Sequence, residues 1–328
     1  MSTARSRISK LLLSLLFLVL CAGVLLYRQD IYDWWQLRSY VAPQEIASIA
    51  QSDAMTEKAR RIFYVARPVI EDSSEFNQHC GNTAAPKSNE KTIVLGCYDG
   101  RNIYVFNVTD QRLQGVKEVT SAHEMLHAAY ERLSGKERDR VNAMLNQQFK
   151  DMNDQRITDV LAEYKKSEPT ELLNEMHSIF GTELDKLNPD LEAYYGQYFS
   201  DRSKVVGFAL KYESVFTQSK AQIATIDVRL TDLGAQINRG KEDLDIQRMA
   251  LSDERSKLER MRNTSDAVSY NQQVDAFNAK IESYNQQVAV LQQKIAEYNG
   301  LVEKRNTLAA AANDLAKSLD SKITPISE

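Results

Sequence analysis

The chain has 328 residues, of which 41 are basic and 45 acidic, so its formal net charge at pH 7 is −4. This balance leaves no basic surplus for binding nucleic acid, and we expect no nucleic-acid partner. With only 12 Gly and 6 Pro, the chain should be ordered and predominantly helical. Because one β-hairpin is also predicted, the expected fold class is α+β.

The first predicted element is a membrane anchor. Residues 11–27 form an apolar run, LLLSLLFLVLCAGVLLY, interrupted only by Ser14. This length is at the short end of what crosses a bilayer, so we predict a transmembrane signal anchor preceded by a cytoplasmic tail at residues 1–10. Positive charges before the run keep the amino terminus in the cytoplasm, which makes the chain a single-pass cell-membrane protein whose main domain is extracytoplasmic.

The alternative for this segment is a cleaved signal peptide. The sequence CAG at residues 21–23 is a weak small-residue cleavage site, but the apolar run continues through it to Leu26. The continuing run favours retention as an anchor. Tyr32, Trp34 and Trp35 follow as candidates for side chains at the membrane interface.

Two cysteines lie in the outward part of the chain. Cys80 and Cys97 are seventeen positions apart, which suits one disulfide bond in an oxidising compartment. Zinc ligation by either cysteine is the less favoured alternative. An anchored protein with an outward disulfide fits a bacterial envelope better than the cytosol.

Residues 36–216 have the pattern of one compact domain. Within residues 56–65, the apolar Ala59, Ile62 and Phe63 recur at the spacing of a surface helix, so this face is predicted to enter the core.

A β-hairpin is predicted next along the chain. Its strands come from residues 91–98 and 101–108, which are rich in β-branched and aromatic residues. Asp99-Gly100 lies between them, and Asp-Gly is a favoured two-residue turn.

The next predicted helix begins near Val116 and should end at Ser134-Gly135, where the glycine can adopt the left-handed cap conformation. Further helices are predicted at residues 136–152, at residues 169–180 closed by Gly181, and after Asn188-Pro189.

This helix carries a metal-binding pattern. His123 and His127 are four residues apart, so they lie on one helical face and can bind one metal ion. A catalytic zinc has three protein ligands and an open position for water, whose pKa the metal lowers to about 7. Glu124 lies too far round the helix to ligate easily and is predicted to be the general base and acid. The pattern therefore predicts a Zn²⁺ centre with its own catalytic base.

The residues around this pattern resemble a known family. The segment from Thr120 to Ala129, TSAHEMLHAA, is similar to the HExxH signature of the zincin metallopeptidases. The resemblance implies a zincin-like domain that hydrolyses peptide bonds, with an edge strand lining the substrate cleft above the motif helix. The hairpin ending near Val108 is the candidate source of that strand, to which a peptide or protein substrate pairs through its backbone.

The third ligand decides the branch of zincins. Asn174-Glu175 is similar to the Asn-Glu pair that carries the third ligand in thermolysin-like gluzincins, so the resemblance implies Glu175. The gap after His127 is longer than in those enzymes, and Ile179 replaces an aspartate that supports their metal site. Another carboxylate or carbonyl must then orient a histidine. The alternative ligands are His177, which is the main rival, Glu171 and Glu183.

Three other residues carry weaker signals. Tyr194 and Tyr195 are candidates for an oxyanion donor, although packing is their favoured role. His79 has no recognisable partner spacing and is predicted to be a loop residue.

The remaining residues, 217–323, are predicted to form a long antiparallel coiled-coil hairpin. Apolar residues recur with a heptad period from Tyr270 to Val302, and a weaker seam runs from Ile223 to Leu258. Residues 262–266 form a polar break, which favours a hairpin over a parallel coil between chains.

Two functions follow from these patterns. The leading hypothesis is a membrane-anchored, extracytoplasmic zinc metallopeptidase acting on a peptide or protein. The alternative is a non-enzymatic, membrane-anchored scaffold, in which the coiled coil binds a protein partner or a second copy and the zinc-binding domain is structural or inactive.

Overall fold

The computed structural model describes residues 16–21, 23–24, 27–81 and 94–322. These residues are predominantly helical with one small sheet, as predicted. They fall into two compact units. The first unit contains the described residues up to Ser214 together with those from Leu315 onward, and the second is Val215–Asp314. Residues 315–322 are therefore part of the first unit, although the sequence assigns residues up to 323 to the coiled coil.

The predicted cytoplasmic tail and most of the predicted anchor at residues 11–27 lie outside the described residues. Within the described ranges, none of the helices combines the length and the apolar character needed to cross a bilayer.

The first unit is built mainly from helices of two to four turns. They are α1 (Arg28–Leu37), α2 (Gln44–Ser52), α3 (Glu57–Val65), α4 (Ser73–Cys80), α5 (Val116–Glu131), α6 (Gly135–Asp151), α7 (Gln155–Ser167), α8 (Leu172–Thr182) and α9 (Pro189–Tyr195). A 3₁₀ turn spans Gln111–Leu113. The long helix α10 (Ser203–Met261) starts in this unit.

The sheet has the strand order β1-β3-β2, with β1 (Val69–Glu71), β2 (Gly96–Tyr98) and β3 (Ile103–Phe106). The hairpin of β2 and β3 is antiparallel, whereas β1 pairs with β3 in parallel. The order leaves β2 at an edge of the sheet. Strand β1 was not predicted, because three residues are too few to show a period.

The hairpin loop is longer than predicted. Tyr98 lies opposite Ile103, so the loop contains four residues instead of two. The Asp99 carboxylate accepts hydrogen bonds from the backbone N–H groups of Arg101 and Asn102, and these bonds stabilise the wider turn. Gly100 has a φ of +86°, which is the conformation that favours glycine at this position.

Side-chain caps set several helix boundaries. Thr56 caps α3 by accepting a hydrogen bond from the backbone of Ala59, and Asn188 caps α9 as predicted. The prediction for the end of the motif helix was wrong. Helix α5 ends at Glu131, while Ser134 forms a capping box with Glu137 and starts α6. The reciprocal bonds of a capping box favour a new helix over the glycine cap.

The prediction that Gly181 ends the preceding helix was also wrong. It lies inside α8, where Leu126 and Tyr195 pack so closely that a Cβ atom there would lie 2.3 Å from Leu126 Cδ1. The absence of a side chain at Gly181 therefore allows α5 and α8 to pack closely together.

The core of the first unit surrounds α5. Ala122, Met125 and Leu126 of this helix are fully buried in that core. The described residues after Asp314 also contact this unit, since Leu315 and Leu319 are buried and Asn77 donates a hydrogen bond to the Ser321 carbonyl.

The second unit contains most of α10 and of α11 (Ala267–Leu319), separated by residues 262–266 where the break was predicted. Contacts between the two helices run antiparallel. Gln247 and Gln287 exchange side-chain hydrogen bonds, and Lys280 pairs with Glu254. These polar pairs occupy positions where the first arm lacks apolar seam residues.

Candidate metal centre

Helices α5 and α8 bring three candidate metal ligands together. His123 and His127 project from neighbouring turns of α5, and Glu175 comes from the first turn of α8. Their ligand atoms all lie within 4.8 Å of one another. Glu175 lies between the imidazoles, with one carboxylate oxygen 3.6 Å from His123 Nε2 and the other 3.6 Å from His127 Nε2.

These distances fit a shared cation better than direct hydrogen bonds. A separation of 3.6 Å is too long for a hydrogen bond, but ligand atoms placed tetrahedrally at about 2.1 Å from one ion stand about 3.4 Å apart. In the described part of the chain, the buried Oε2 atom of Glu175 has no hydrogen-bond partner. Two nitrogen ligands and one carboxylate oxygen are a donor set suited to zinc.

Asn174 orients one of the two imidazoles. Its Oδ1 atom lies 3.0 Å from His127 Nδ1, so an N–H at Nδ1 donates to the amide oxygen. That hydrogen bond leaves the lone pair of Nε2 directed at Glu175. Because Ile179 stands where an aspartate was expected, the sequence required another group to orient a histidine. The amide carbonyl of Asn174 is that group.

Glu124 lies beside the ligands without joining them. Its side chain is 6% exposed, and it accepts a hydrogen bond from the backbone N–H of Tyr98. Burial is the main cause that raises the pKa of Glu124 to about 7, with Glu175 adding to the rise and His127 opposing it. A carboxyl group of this kind can take up and release a proton near neutral pH.

Gly96 allows this close approach of β2 to α5. A Cβ atom at position 96 would lie 2.5 Å from Thr120 Cγ2 and 2.8 Å from Glu124 Oε1. A side chain at this position would displace Thr120 or Glu124, so glycine lets the edge strand lie close to the motif helix; the sequence analysis did not identify this role.

Electrostatic attraction between the imidazoles and the carboxylate shifts the pKa values of His123 and Glu175. Burial by itself would lower the pKa of His123, but the neighbouring Glu175 raises it above its ordinary value. For Glu175, burial would raise the pKa, while the imidazoles of His127 and His123 hold it below its ordinary value. The carboxyl group is therefore ionised at neutral pH, as a metal ligand must be.

The site opens into a cavity of about 610 Å³. All residues of β2 line it on one side, and side chains of α7 and α8 line the other. Tyr164 on α7 is among them, and its hydroxyl contacts the Glu175 carboxylate. The sequence analysis missed Tyr164 because no spacing relates it to the motif helix.

The rival ligands are not part of the three-residue cluster, although Glu171 and Glu183 line the same cavity. His177 is fully buried, and its Nε2 atom lies 2.8 Å from the Tyr194 hydroxyl, so it is part of an aromatic cluster that includes Tyr195. Burial lowers the pKa of His177 to about 3. Glu171 accepts a hydrogen bond from Asn174, and Glu183 pairs with Arg156.

The two tyrosines suggested as oxyanion donors do not face the cavity. The Tyr194 hydroxyl bonds His177, and the Tyr195 hydroxyl donates to the His177 backbone carbonyl. Neither residue lines the cavity, which agrees with packing as their favoured role.

The predicted disulfide between Cys80 and Cys97 is present, which removes both cysteines as metal ligands. It links the end of α4 to β2. His79 lies in the last turn of α4, where it contacts Glu71 and stacks on Tyr104. The prediction of a loop at His79 was wrong, because the short helix has little internal periodicity.

Comparison with known proteins adds no family assignment. No protein-family model matches the chain, and neither a curated protein nor a solved structure matches it.

Proposed function

We propose that this protein is a membrane-anchored zinc metallopeptidase of the zincin type, with a gluzincin-like site that hydrolyses peptide bonds outside the cytoplasm. His123, His127 and Glu175 hold the metal, and Glu124 is the general base and acid. The observation that carries the proposal is the convergence of these three ligands beside a buried carboxyl group at the floor of an open cavity.

When bound, Zn²⁺ supplies a Lewis acid and lowers the pKa of a water molecule that it holds. Glu124 accepts a proton as the water oxygen attacks the peptide carbonyl carbon, and it delivers that proton to the amide nitrogen as the C–N bond breaks. Asn174 keeps His127 in the ligating tautomer. Tyr164 lies in the same cavity and is placed to donate to a developing oxyanion.

The edge strand indicates how a substrate binds. Among the described residues, strand β2 has a neighbouring strand on one side only, and all its residues line the cavity. An extended peptide can therefore add to the sheet through backbone hydrogen bonds and pass its scissile bond over Glu124. We propose peptides or unfolded protein segments as substrates, since both provide an extended backbone.

The anchor and the location are part of the same proposal. The described residues 16–20 are helical and apolar, and their side chains are between 58% and 65% exposed. Surface of this kind is normally covered by lipid or protein. The disulfide supports an oxidising compartment, such as a bacterial envelope, for the main domain.

The decisive experiment replaces Glu124 with Gln in the full chain. We expect zinc to remain bound in one equivalent, while the rate of peptide hydrolysis falls by about 10²- to 10⁴-fold, because the base is lost and the ligands are kept. Metal analysis and cleavage of a mixed peptide library provide the two readouts.

Glu118→Gln is the matched control, because Glu118 lies on the same helix and does not line the cavity. It should leave both readouts unchanged. Full hydrolysis by the Glu124 variant would refute the role of base. If the wild-type protein shows no chelator-sensitive cleavage, the scaffold hypothesis replaces the enzyme hypothesis.

A further inference from the structure

Helix α1 carries an exposed aromatic face. The N-cap residue Tyr27 and the helix residues Ile31, Trp34 and Trp35 lie at positions i, i+4, i+7 and i+8, and they are 62%, 49%, 68% and 54% exposed. Residues at this spacing share one side of a helix. The two tryptophans are the only ones in the chain.

The opposite face of α1 is fixed to the first unit. Asp33 is 3% exposed and forms an ion pair of 2.8 Å with Arg132. The Gln36 carbonyl accepts a hydrogen bond of 2.7 Å from the Arg67 guanidinium. Arg132 is the C-cap residue of α5, the helix that carries the metal motif. Because these contacts hold one side of α1, the aromatic side cannot turn toward the core.

The chemistry of this face matches the interface of a lipid bilayer. Tryptophan and tyrosine have an apolar ring with a polar edge and are enriched at the level of the lipid headgroups. The Arg38 guanidinium lies 5.8 Å from the Trp35 ring centroid, where it can also meet anionic headgroups. The apolar helical residues 16–20 come before this face in the chain, and their side chains are exposed as well.

We propose that the face of α1 formed by Tyr27, Ile31, Trp34 and Trp35 lies in the headgroup region of the bilayer, and that the Asp33–Arg132 ion pair holds the peptidase domain against the membrane surface. The domain then acts on protein segments that lie close to the membrane. The inference rests on the proposed anchor, but the position of the tryptophans does not depend on the zinc chemistry.

Tryptophan fluorescence tests the position of α1 directly, because both fluorophores lie on this face. The full chain is reconstituted into vesicles of phosphatidylcholine and phosphatidylglycerol that contain brominated lipid. We expect emission shifted to shorter wavelengths than for tryptophan in water, with stronger quenching by bromine near the headgroups than by bromine near the bilayer centre. Trp34→Phe and Trp35→Phe variants assign the signal to each residue.

Two results would overturn the proposal. In one, the protein floats with the vesicles but its tryptophans are quenched by acrylamide as in water. In the other, they are shielded from acrylamide and insensitive to brominated lipid, which indicates a second copy or another protein on this face. A chain that does not float with the vesicles contradicts the proposed anchor itself.

Asp33→Asn tests the attachment to the domain. We expect unchanged tryptophan emission. Cleavage of a lipid-tethered peptide should fall on the order of tenfold relative to cleavage of the same peptide in solution. The reason is that tethering raises the effective concentration of the peptide only for an enzyme that is held close to the membrane. Asp30→Asn is the matched control, since Asp30 lies on the same helix and its 3.4 Å ion pair with Arg61 is exposed to solvent and therefore contributes little. An equal effect on both substrates, or no effect, would contradict the attachment. Absence of cleavage by the wild-type protein would contradict the proposed peptidase and leave the fluorescence result intact.

Discussion

A histidine ligand binds a metal well only when its ring is held in one tautomer and one orientation. In this protein that constraint on His127 comes from Asn174, the residue directly before Glu175. One short segment of α8 therefore supplies a candidate ligand and the support for another ligand. The two roles can be separated by mutation.

Replacing Asn174 with Ala is expected to lower zinc affinity by about 10- to 100-fold, because His127 loses its support while all three ligands remain. Competition with a chelator measures the affinity. Excess zinc should restore most of the hydrolysis, which a change of the ligands would not permit. The same substitution at Asn146, which is exposed on α6, should have no effect, and equal affinities in the two variants would contradict the role.

Asp53 is a second residue whose environment has a measurable consequence. It is completely buried, and neither of its carboxylate oxygens has a hydrogen-bond partner among the described residues. Burial, with a smaller contribution from Glu118, raises the pKa of Asp53 well above its ordinary value. The folded protein therefore keeps this proton over a pH range in which the unfolded chain has lost it.

Because the folded state binds the extra proton, the free energy of unfolding should decrease as the pH rises above about 4, by up to about 1.4 kcal/mol per pH unit until the folded-state pKa is passed. Asp53→Asn keeps the shape and cannot ionise, so it should flatten this dependence and raise stability at pH 7. Urea unfolding at several pH values provides the measurement. Asp139→Asn, at an exposed position on α6, should leave the slope unchanged, and an unchanged slope for Asp53→Asn would show that the carboxyl group is not the cause.

At the scale of elements, the position of β2 against α5 is what makes the cavity. Gly96 permits the contact, the Tyr98 backbone binds Glu124, and Cys97 ties the strand to α4 through the disulfide. Each residue of this strand thus has a separate task. We expect the position of Glu124 to depend on all three.

Gly96→Ala is predicted to lower kcat/KM by at least about tenfold, because the added methyl group displaces Glu124 from its position, and displacements of about 1 Å are costly in catalysis. Zinc content should stay at one equivalent, since the ligands come from other elements. Gly135→Ala is the control, as a Cβ atom there meets nothing within 4 Å. Normal hydrolysis by the Gly96 variant would mean that β2 does not position the base.

At the scale of the whole molecule, the described residues from Leu315 onward belong to the unit that carries the candidate metal site. Leu315 and Leu319 are 3% and 5% exposed, and Ser321 is bonded to Asn77 on α4. A truncation that removes the coiled coil together with the C terminus therefore removes part of the core of the first unit.

We predict different outcomes for two deletions. Excision of residues 215–314, with a flexible Gly/Ser linker in their place, should preserve the melting temperature of the first unit and its hydrolysis of short peptides. Truncation after Ser214 should lose about 3–6 kcal/mol, because two buried leucines are removed, and lower the melting temperature by about 10 °C. Equal melting temperatures for the two proteins would show that the C-terminal segment does not stabilise this unit.

The sequence by itself determined the features that depend on local order. Spacing along one helix places His123 and His127 on a common face, Asp99-Gly100 marks the hairpin, and the heptad period predicts the two long helices. Caps such as Asn188 act within one turn of a helix. These features could be predicted because the residues that cause them are close together in the chain.

Only the tertiary structure decided which distant groups meet. It placed Glu175 at the two histidines and put His177 into an aromatic cluster, although both residues lie on the same short helix. It also placed Gly96 and Tyr164 in the lining of the cavity, and it placed Leu315 in the first unit instead of the coiled coil. The physical reason is that the packing angle and register between α5 and α8 decide which of the possible metal ligands on α8 faces the two histidines. This angle and register depend on the packing of the whole core and not on the spacing of residues within one segment.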